Sequence, residues 1–351
     1  MQGNSISLYG EWMTKSGHWM HRIYTGTYRF GQVDFDAYSL ATCATIMDKA
    51  RFQGCLMGLA AGDAVGTTVE FCPRGSFTPV TDMVGGGPFN LKPGDWTDDT
   101  SMALCLATSL IEQGGFDPSD QIERYCRWQE TGYLSSTDEC FDIGNTVTQA
   151  LARYRLTQDP FSGSTAPRSA GNGCIMRLAP VPMFFAADPA MAIHQSGQSA
   201  RTTHGAYECV AASRLFGAML VAALQGESKA NVLLGHAALS DLPDSIRAIA
   251  VGQYRQKPDS DIRGNGYVVD SLEAALWSFW TTDNLEAAIL KAVNLGDDAD
   301  TTGAICGQLA GAFYGIEAIP PAWRQRLTLG ERIETLANQL YKAALTESQG
   351  L

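Results

Sequence analysis

Gly296-Asp-Asp-Ala-Asp-Thr-Thr-Gly303-Ala-Ile-Cys-Gly307-Gln-Leu-Ala-Gly311-Ala-Phe-Tyr-Gly315 is the stretch whose reading decides the fold. Glycines at 303, 307, 311 and 315 recur every fourth residue, so they line one face of a helix. Such a stripe lets a second helix approach closely, which predicts a tightly packed all-α core. A membrane-dimer reading of the same spacing fails, because the apolar stretch is too short and contains Gln308. The helix opens on Asp297, Asp298 and Asp300 with Thr301 and Thr302, three carboxylates and two hydroxyls in six residues.

A second cluster of the same kind, Trp96-Thr97-Asp98-Asp99-Thr100, stands some two hundred residues earlier and also opens into an apolar helical stretch. Asp and Thr are common at helix starts because they satisfy free backbone N–H groups. That explains one such cluster, but it explains two matching ones poorly. Carboxylates this dense repel one another unless a cation neutralises them. Brought together, the two clusters offer oxygen ligands only, which suits Mg²⁺, Mn²⁺ or Ca²⁺ rather than zinc. The five histidines form no HExxH pattern, and the nine cysteines include no CxxC pair. Neither a zinc site nor a disulfide framework is expected.

The 351 residues carry a net charge of −12, which disfavours a nucleic-acid backbone as partner. With no charged-then-apolar leader and no uninterrupted apolar run of spanning length, the expectation is a soluble cytoplasmic protein. From Arg51 onward the chain reads helical, over 101–112, 119–130, 143–155, 204–224, 227–239, 271–279, 285–293 and 321–345.

Residues 1–50 differ. Tyr9, Trp12, Trp19, Tyr24, Tyr28, Phe30, Phe35 and Tyr38 crowd into the first 38 positions, and through residue 33 Lys15, Arg22 and Arg29 face only Glu11. Alternation from His18 to Phe30 around Thr25-Gly26-Thr27 suggests a short hairpin. The segment is either a strand pair decorating the main domain or an arm that docks on a partner, since aromatics and Arg are enriched at interface hot spots.

Two further runs are chemically distinctive. Gly62-Asp63-Ala-Val-Gly66-Thr-Thr-Val-Glu70-Phe71 ends a Gly- and Ala-rich stretch whose glycine spacing is not that of a dinucleotide fingerprint. Ser169-Ala-Gly171-Asn172-Gly173-Cys-Ile-Met-Arg177 is a glycine-flanked turn whose N–H groups could cradle an anion such as a diphosphate. Together with Phe141-Asp142-Ile-Gly-Asn145 and Thr202-Thr203-His204, these motifs resemble, in order and spacing, the ADP-ribosylglycohydrolase family. That is the dinitrogenase-reductase-activating glycohydrolase group and its ADP-ribosyl-acceptor hydrolase relatives. The resemblance runs from about residue 51 to 344.

It implies a compact, orthogonal all-α catalytic domain over 51–345 with a binuclear Mg²⁺ or Mn²⁺ centre. By motif position the metal ligands would be Thr97, Asp98, Asp99, Asp298, Asp300 and Thr301. Asp297 stands where many members have glycine and would lie behind the ligands. Glu70 and Asp142 match the carboxylates beside the scissile bond and the ribose, with acid and base unassigned between them. Asn172, Gly173 and His204 match the wall of the ADP-ribose cleft. The implied activity is metal-dependent removal of ADP-ribose from a protein side chain, with arginine favoured. Some relatives resemble immunity proteins against ADP-ribosylating toxins, so residues 1–45 would bind such a transferase. A non-catalytic inhibitory binding protein and a binuclear phosphohydrolase are the alternatives.

Overall fold

A computed structural model of the chain describes residues 5–13, 19–29, 32–35 and 47–349. The chain divides into two compact units, Met1–Ile46 and Met47–Leu351. In the first, strands β1 (Ser5–Met13), β2 (Trp19–Arg29) and β3 (Gln32–Phe35) form an antiparallel sheet in the order β1-β2-β3. The expected hairpin exists, but Thr25-Gly26-Thr27 is not its turn. These residues lie within β2, opposite Ser5–Ser7, and Gly26 also pairs with Phe35. β-branched threonines on either side favour extended backbone and outweigh the single glycine as a turn signal. The β1–β2 connection at 14–18 lies outside the described residues.

The second unit is helical, and no strand occurs among its described residues. Its centre is α1 (Lys49–Gly66) against α12 (Ala299–Tyr314), the twelfth helix in chain order. Both are buried on almost every side, α1 from Phe52 to Gly66 and α12 from Ala299 to Ala312. A helix buried all round needs no amphipathic stripe. It needs neighbours that come close, and glycine supplies them. Cβ atoms built at Gly62, Gly58 and Gly54 would lie 2.0–2.3 Å from the carbonyl oxygens of Gly303, Gly307 and Gly311. Cβ atoms on Gly303, Gly307 and Gly311 would strike Gly62, Gly58 and Gly54 in return. The predicted ladder on α12 therefore meets a complementary ladder on α1, running antiparallel. Arg51 fastens the far end, its Nη1 donating to the carbonyls of Ala223, Ala312 and Phe313. Cations at helix C-termini are favourable for the same reason that free carbonyls there need donors.

Around this pair lie α2 (Asp98–Gln113), α3 (Pro118–Thr131), α4 (Asn145–Thr157), α5 (Pro180–Phe184), α6 (Pro189–Arg201), α7 (Tyr207–Leu224), α8 (Lys229–Leu234), α9 (Asp244–Ala250), α10 (Val268–Trp280), α11 (Leu285–Val293), α13 (Pro321–Arg326) and α14 (Gly330–Gln349). The single helix expected over 321–345 is two, because the chain breaks after Arg326 and passes through Leu329 at φ 56°. The helix expected over 227–239 stops at Leu234. α6 was not anticipated, although Asp188 caps it and Pro189 opens it. Among the described residues α7 alone is long and apolar enough to cross a membrane, and 72% of it is buried in the core. Gln308, the polar residue in the glycine helix, is fully used: it accepts from Ala179 N and donates to the carbonyls of Ile175 and Met176. It thereby ties α12 to the loop that carries Asn172 and Gly173.

Candidate active site and metal centre

The zipper sets the site. α1 ends and α12 begins at the same end of the pair, where Gly66 backs directly onto Asp300. Asp63, one turn before the end of α1, reaches sideways to the start of α2. Its Oδ1 accepts from Thr97 N at 2.9 Å and its Oδ2 from Thr100 N at 3.0 Å, while both threonine hydroxyls bond it as well. Thr97 is the N-cap by backbone conformation, yet makes no capping bond itself. Asp63 caps α2 from another helix, so Thr97 Oγ1 does not cap its own helix and instead faces the carboxylate cluster. Glu70 does the same for α12, its Oε2 accepting from Ala299 N at 2.8 Å and Asp300 N at 3.2 Å. Both helix starts are thus aimed at one point by carboxylates from the α1 segment.

At that point the two acidic clusters converge. Carboxylate oxygens of Asp63, Asp99 and Asp300 lie within 4.8 Å of one another, as do those of Glu70, Asp298 and Asp300. Asp300 belongs to both groups. Thr97 Oγ1 lies 3.0, 3.2 and 3.1 Å from oxygens of Asp63, Asp99 and Asp300. A hydroxyl has one proton, so Thr97 donates in at most one of these contacts, and the others need a proton on the carboxyl or a cation between the oxygens. Thr301 Oγ1 donates to Asp99 Oδ2 at 3.3 Å. Asp99 Oδ1 is buried without any hydrogen-bond partner. A surplus of acceptors and an orphaned carboxylate oxygen are what a hard cation would satisfy. The acidic residues therefore fit a divalent metal.

The electrostatics agree. Burial first, then the Asp300 charge, holds Asp98, Asp99 and Glu70 well above the ordinary carboxylate range. The same causes push Asp63 and Asp298 up to about 7 and Asp142 up to about 11.

Next to the cluster opens a cavity of about 500 Å³, lined by Glu70, Asp98, Asp142, Asp298, Asp300 and Thr301 on the acidic side. Gly171, Asn172, Gly173, Met176 and His204 line it elsewhere, with Phe71 and the start of α4 also at its surface. The volume suits a ligand larger than a metabolite fragment. Each residue given a metal, catalytic or substrate role from sequence is therefore in the cluster or on the cavity wall: Thr97 and Asp99 in the cluster, the others on the cavity surface.

Four details differ from the sequence reading. Asp63, not assigned there, is part of the acidic group; the available signal was one carboxylate amid an otherwise small and apolar helix. Glu70 lines the cavity and also lies within ligand range of Asp298 and Asp300. Asp297 does not lie behind the ligands: its side chain is exposed and its backbone has φ 58°. It exchanges two 2.8 Å backbone hydrogen bonds with the loop after Glu70, Phe71 N to Asp297 O and Asp297 N to Cys72 O. Left-handed backbone accounts for a position that glycine suits. Finally, Asn172 does not offer its N–H to the cavity, since Gly266 O accepts it. Its side-chain amide donates to Asp298 Oδ2 at 2.9 Å and Ser271 Oγ at 3.2 Å, steadying a carboxylate of the cluster.

Residues 44–349 match the family model for ADP-ribosylglycohydrolase. The chain is 46% identical over 301 residues to the ADP-ribosylarginine hydrolase Tri1 of Serratia proteamaculans, covering 86% of this chain and 81% of the relative. It is 33% identical over 288 residues to the ADP-ribosyl-dinitrogen reductase glycohydrolase of Rhodospirillum rubrum, covering 80% and 90%. A solved structure titled ADP-ribosylglycohydrolase-related protein complex superposes with a TM-score of 0.75 at 43% identity, over 84% of this chain and 98% of that one. Motif order, helical architecture and these matches agree: the chain belongs to the ADP-ribosylglycohydrolase family.

Proposed function

We propose that this protein is a metal-dependent hydrolase that removes ADP-ribose from modified arginine side chains. The observation that carries the reading is the convergence of the α2 and α12 starts on Asp300 beside a cavity of nucleotide size. The arginine acceptor is supported by the relative at 46% identity that bears that activity in its name. Thr97, Asp98, Asp99, Asp298, Asp300 and Thr301 would hold two Mg²⁺ or Mn²⁺ ions, with Asp63 and Glu70 close enough to contribute. Bound there, such ions lower the pKa of water and hold hydroxyl oxygens.

The protein's own groups divide the remaining work. Glycosidic bonds break through an oxocarbenium-like state, aided by an acid at the leaving group. Asp142 suits that part. It lies on the cavity wall, and in the metal-free protein burial, then the Asp300 and Asp98 charges, push its carboxyl up to about 11. Glu70, fixed by two backbone donors, is positioned to orient the start of α12 instead. Gly173 and His204 would contact the ADP-ribose moiety, and Asn172 would keep Asp298 directed at it. The acidic wall favours a cationic guanidinium at the mouth.

A second reading concerns residues 1–45. Residues 1–46 form a compact unit of their own, rich in aromatics and with a local positive balance through residue 33, which supports a role in binding an ADP-ribosyltransferase in the cytoplasm. The decisive experiment is ADP-ribose release from arginine-, serine- and nucleobase-linked substrates, with Mg²⁺ or Mn²⁺ and with chelator. Release from arginine that chelation abolishes is expected. Metal-independent release, or none from arginine, overturns the reading.

A further inference from the structure

Arg177 is fully buried, and no carboxylate partners it among the described residues. Its Nη1 donates to Gly173 O at 2.8 Å, its Nη2 to Thr203 Oγ1 at 2.6 Å, and its plane stacks on Tyr125 at 4.7 Å. Thr203 Oγ1 in turn lies 2.8 Å from His204 Nδ1. A guanidinium can only donate, so Thr203 must accept from it. The hydroxyl proton then has one acceptor within reach, His204 Nδ1. The opposite arrangement, with Nδ1–H donating to Thr203, would leave the threonine proton without a partner in a site where Thr203 is fully buried. Both arrangements make one Thr203–His204 hydrogen bond, so the cost of the unpaired buried hydroxyl decides between them.

We infer that Thr203, with Arg177 behind it, is a positioning residue that fixes His204 as the Nε2–H tautomer, a permanent hydrogen-bond donor to an oxygen acceptor of the ADP-ribose moiety. The inference rests on the proposed function for the identity of the ligand, but the tautomer itself does not. Nε2 is placed for the task. The imidazole lies flush against the glycine turn, so that a Cβ on Gly171 or Gly173 would come within 3.3 or 3.1 Å of Nε2. The ring also lines the cavity. Burial and the Arg177 charge hold the imidazole neutral, down to about 3, so the donor does not become a second cation as pH falls. Gly173 O and Thr203 Oγ1 are bound by the same guanidinium, so the turn and the ring are set relative to each other by one group.

The experiment is ¹⁵N NMR of the histidine side chains in wild type, Thr203→Val and Thr203→Ser, with calorimetry of ADP-ribose binding to each metal-loaded protein. Wild type and Thr203→Ser should show His204 as Nε2–H, and should bind ADP-ribose alike. Thr203→Val keeps the shape and removes the hydroxyl. It should admit the Nδ1–H form and weaken ADP-ribose binding by about tenfold, as loss of one neutral hydrogen bond predicts. Nδ1–H in the wild type overturns the inference, and so does an unchanged tautomer in Thr203→Val. A shifted tautomer with unchanged ADP-ribose affinity removes the ligand-facing role. If wild type fails to release ADP-ribose from arginine, the functional reading falls, while the tautomer measurement still decides this one.

Discussion

Asp300 faces Thr97, Asp99, Asp98 and Asp298 at once, and its charge is the leading electrostatic cause of every raised carboxyl around it. Asp300→Asn should therefore act twice. Calorimetric titration with Mn²⁺ should show the high-affinity metal signal lost, and hydrolysis should fall to background. The metal-free variant should at the same time melt above metal-free wild type, because a repulsive centre has been neutralised. Retention of both metal affinity and turnover would sink the two-cluster site. Asp142→Asn is expected to behave differently, since Asp142 belongs to neither three-carboxylate group. Its kcat should drop by at least ~10²-fold with KM little changed, the pattern of a lost proton donor. A raised KM at unchanged kcat would make Asp142 a substrate-positioning group.

The pH response follows from the same residues. Asp63 and Asp298 are pushed up to about 7, so in the folded, metal-free protein they hold protons more tightly than in the unfolded chain, where Asp titrates near ~3.9. Their contribution to stability is complete below about pH 4 and is lost as pH rises through 7. Melting temperature in chelator should fall across that interval, and saturating Mg²⁺ should abolish the fall. A flat chelator profile would contradict this. The site's carboxylates were legible in sequence because they come in adjacent pairs that resemble one another. Asp63 was not, since a lone carboxylate inside a run of Gly and Ala gives no hint that it caps a helix 34 positions away.

Between elements, the glycine stripe on α12 announced a close neighbour but not which one. Its complement, Gly54, Gly58, Gly62 and Gly66, has the same four-residue period, diluted by Ala60, Ala61 and Ala64. Gly58→Ala tests the contact at its middle, where a Cβ would sit 2.3 Å from Gly307 O, a backbone atom that cannot swing aside. The helices would have to separate, which should destabilise the fold by about 1–3 kcal/mol or more in chemical denaturation. Metal affinity should weaken in parallel, because the displaced pair carries Asp63 and Asp300. Unaltered stability would mean that the helices tolerate a wider spacing. Helix ends were harder to anticipate than helix faces. Leu329 at φ 56° interrupts an apolar pattern that runs on without a break from α13 into α14.

At the scale of the whole molecule, the division into Met1–Ile46 and Met47–Leu351 lets the two proposed roles be tested apart. Removal of residues 1–46 should leave hydrolysis of a small ADP-ribosylarginine substrate within about twofold of wild type, while binding to an ADP-ribosyltransferase, measured by calorimetry, collapses. An unfolded truncation would instead make the sheet part of the fold's support. The aromatics that suggested an arm gave no information on strand register, because both faces of a three-stranded sheet can carry them.

Glu70 and Ala299, hydrogen-bonded in the finished protein, are separated by 229 positions of chain. A ribosome adding ~5–20 residues per second releases α1 many seconds before its partner exists. Through that interval the glycine-striped helix has nothing to lie against, and a sequence so rich in glycine does not hold a helix well alone. α12 must then be received by a groove that the preceding helices have already shaped, a closure late in synthesis and long in sequence separation. Nascent chains arrested before residue 299 should accordingly be devoid of catalysis and open to protease at the α1 segment. Activity should appear only after α12 has left the exit tunnel.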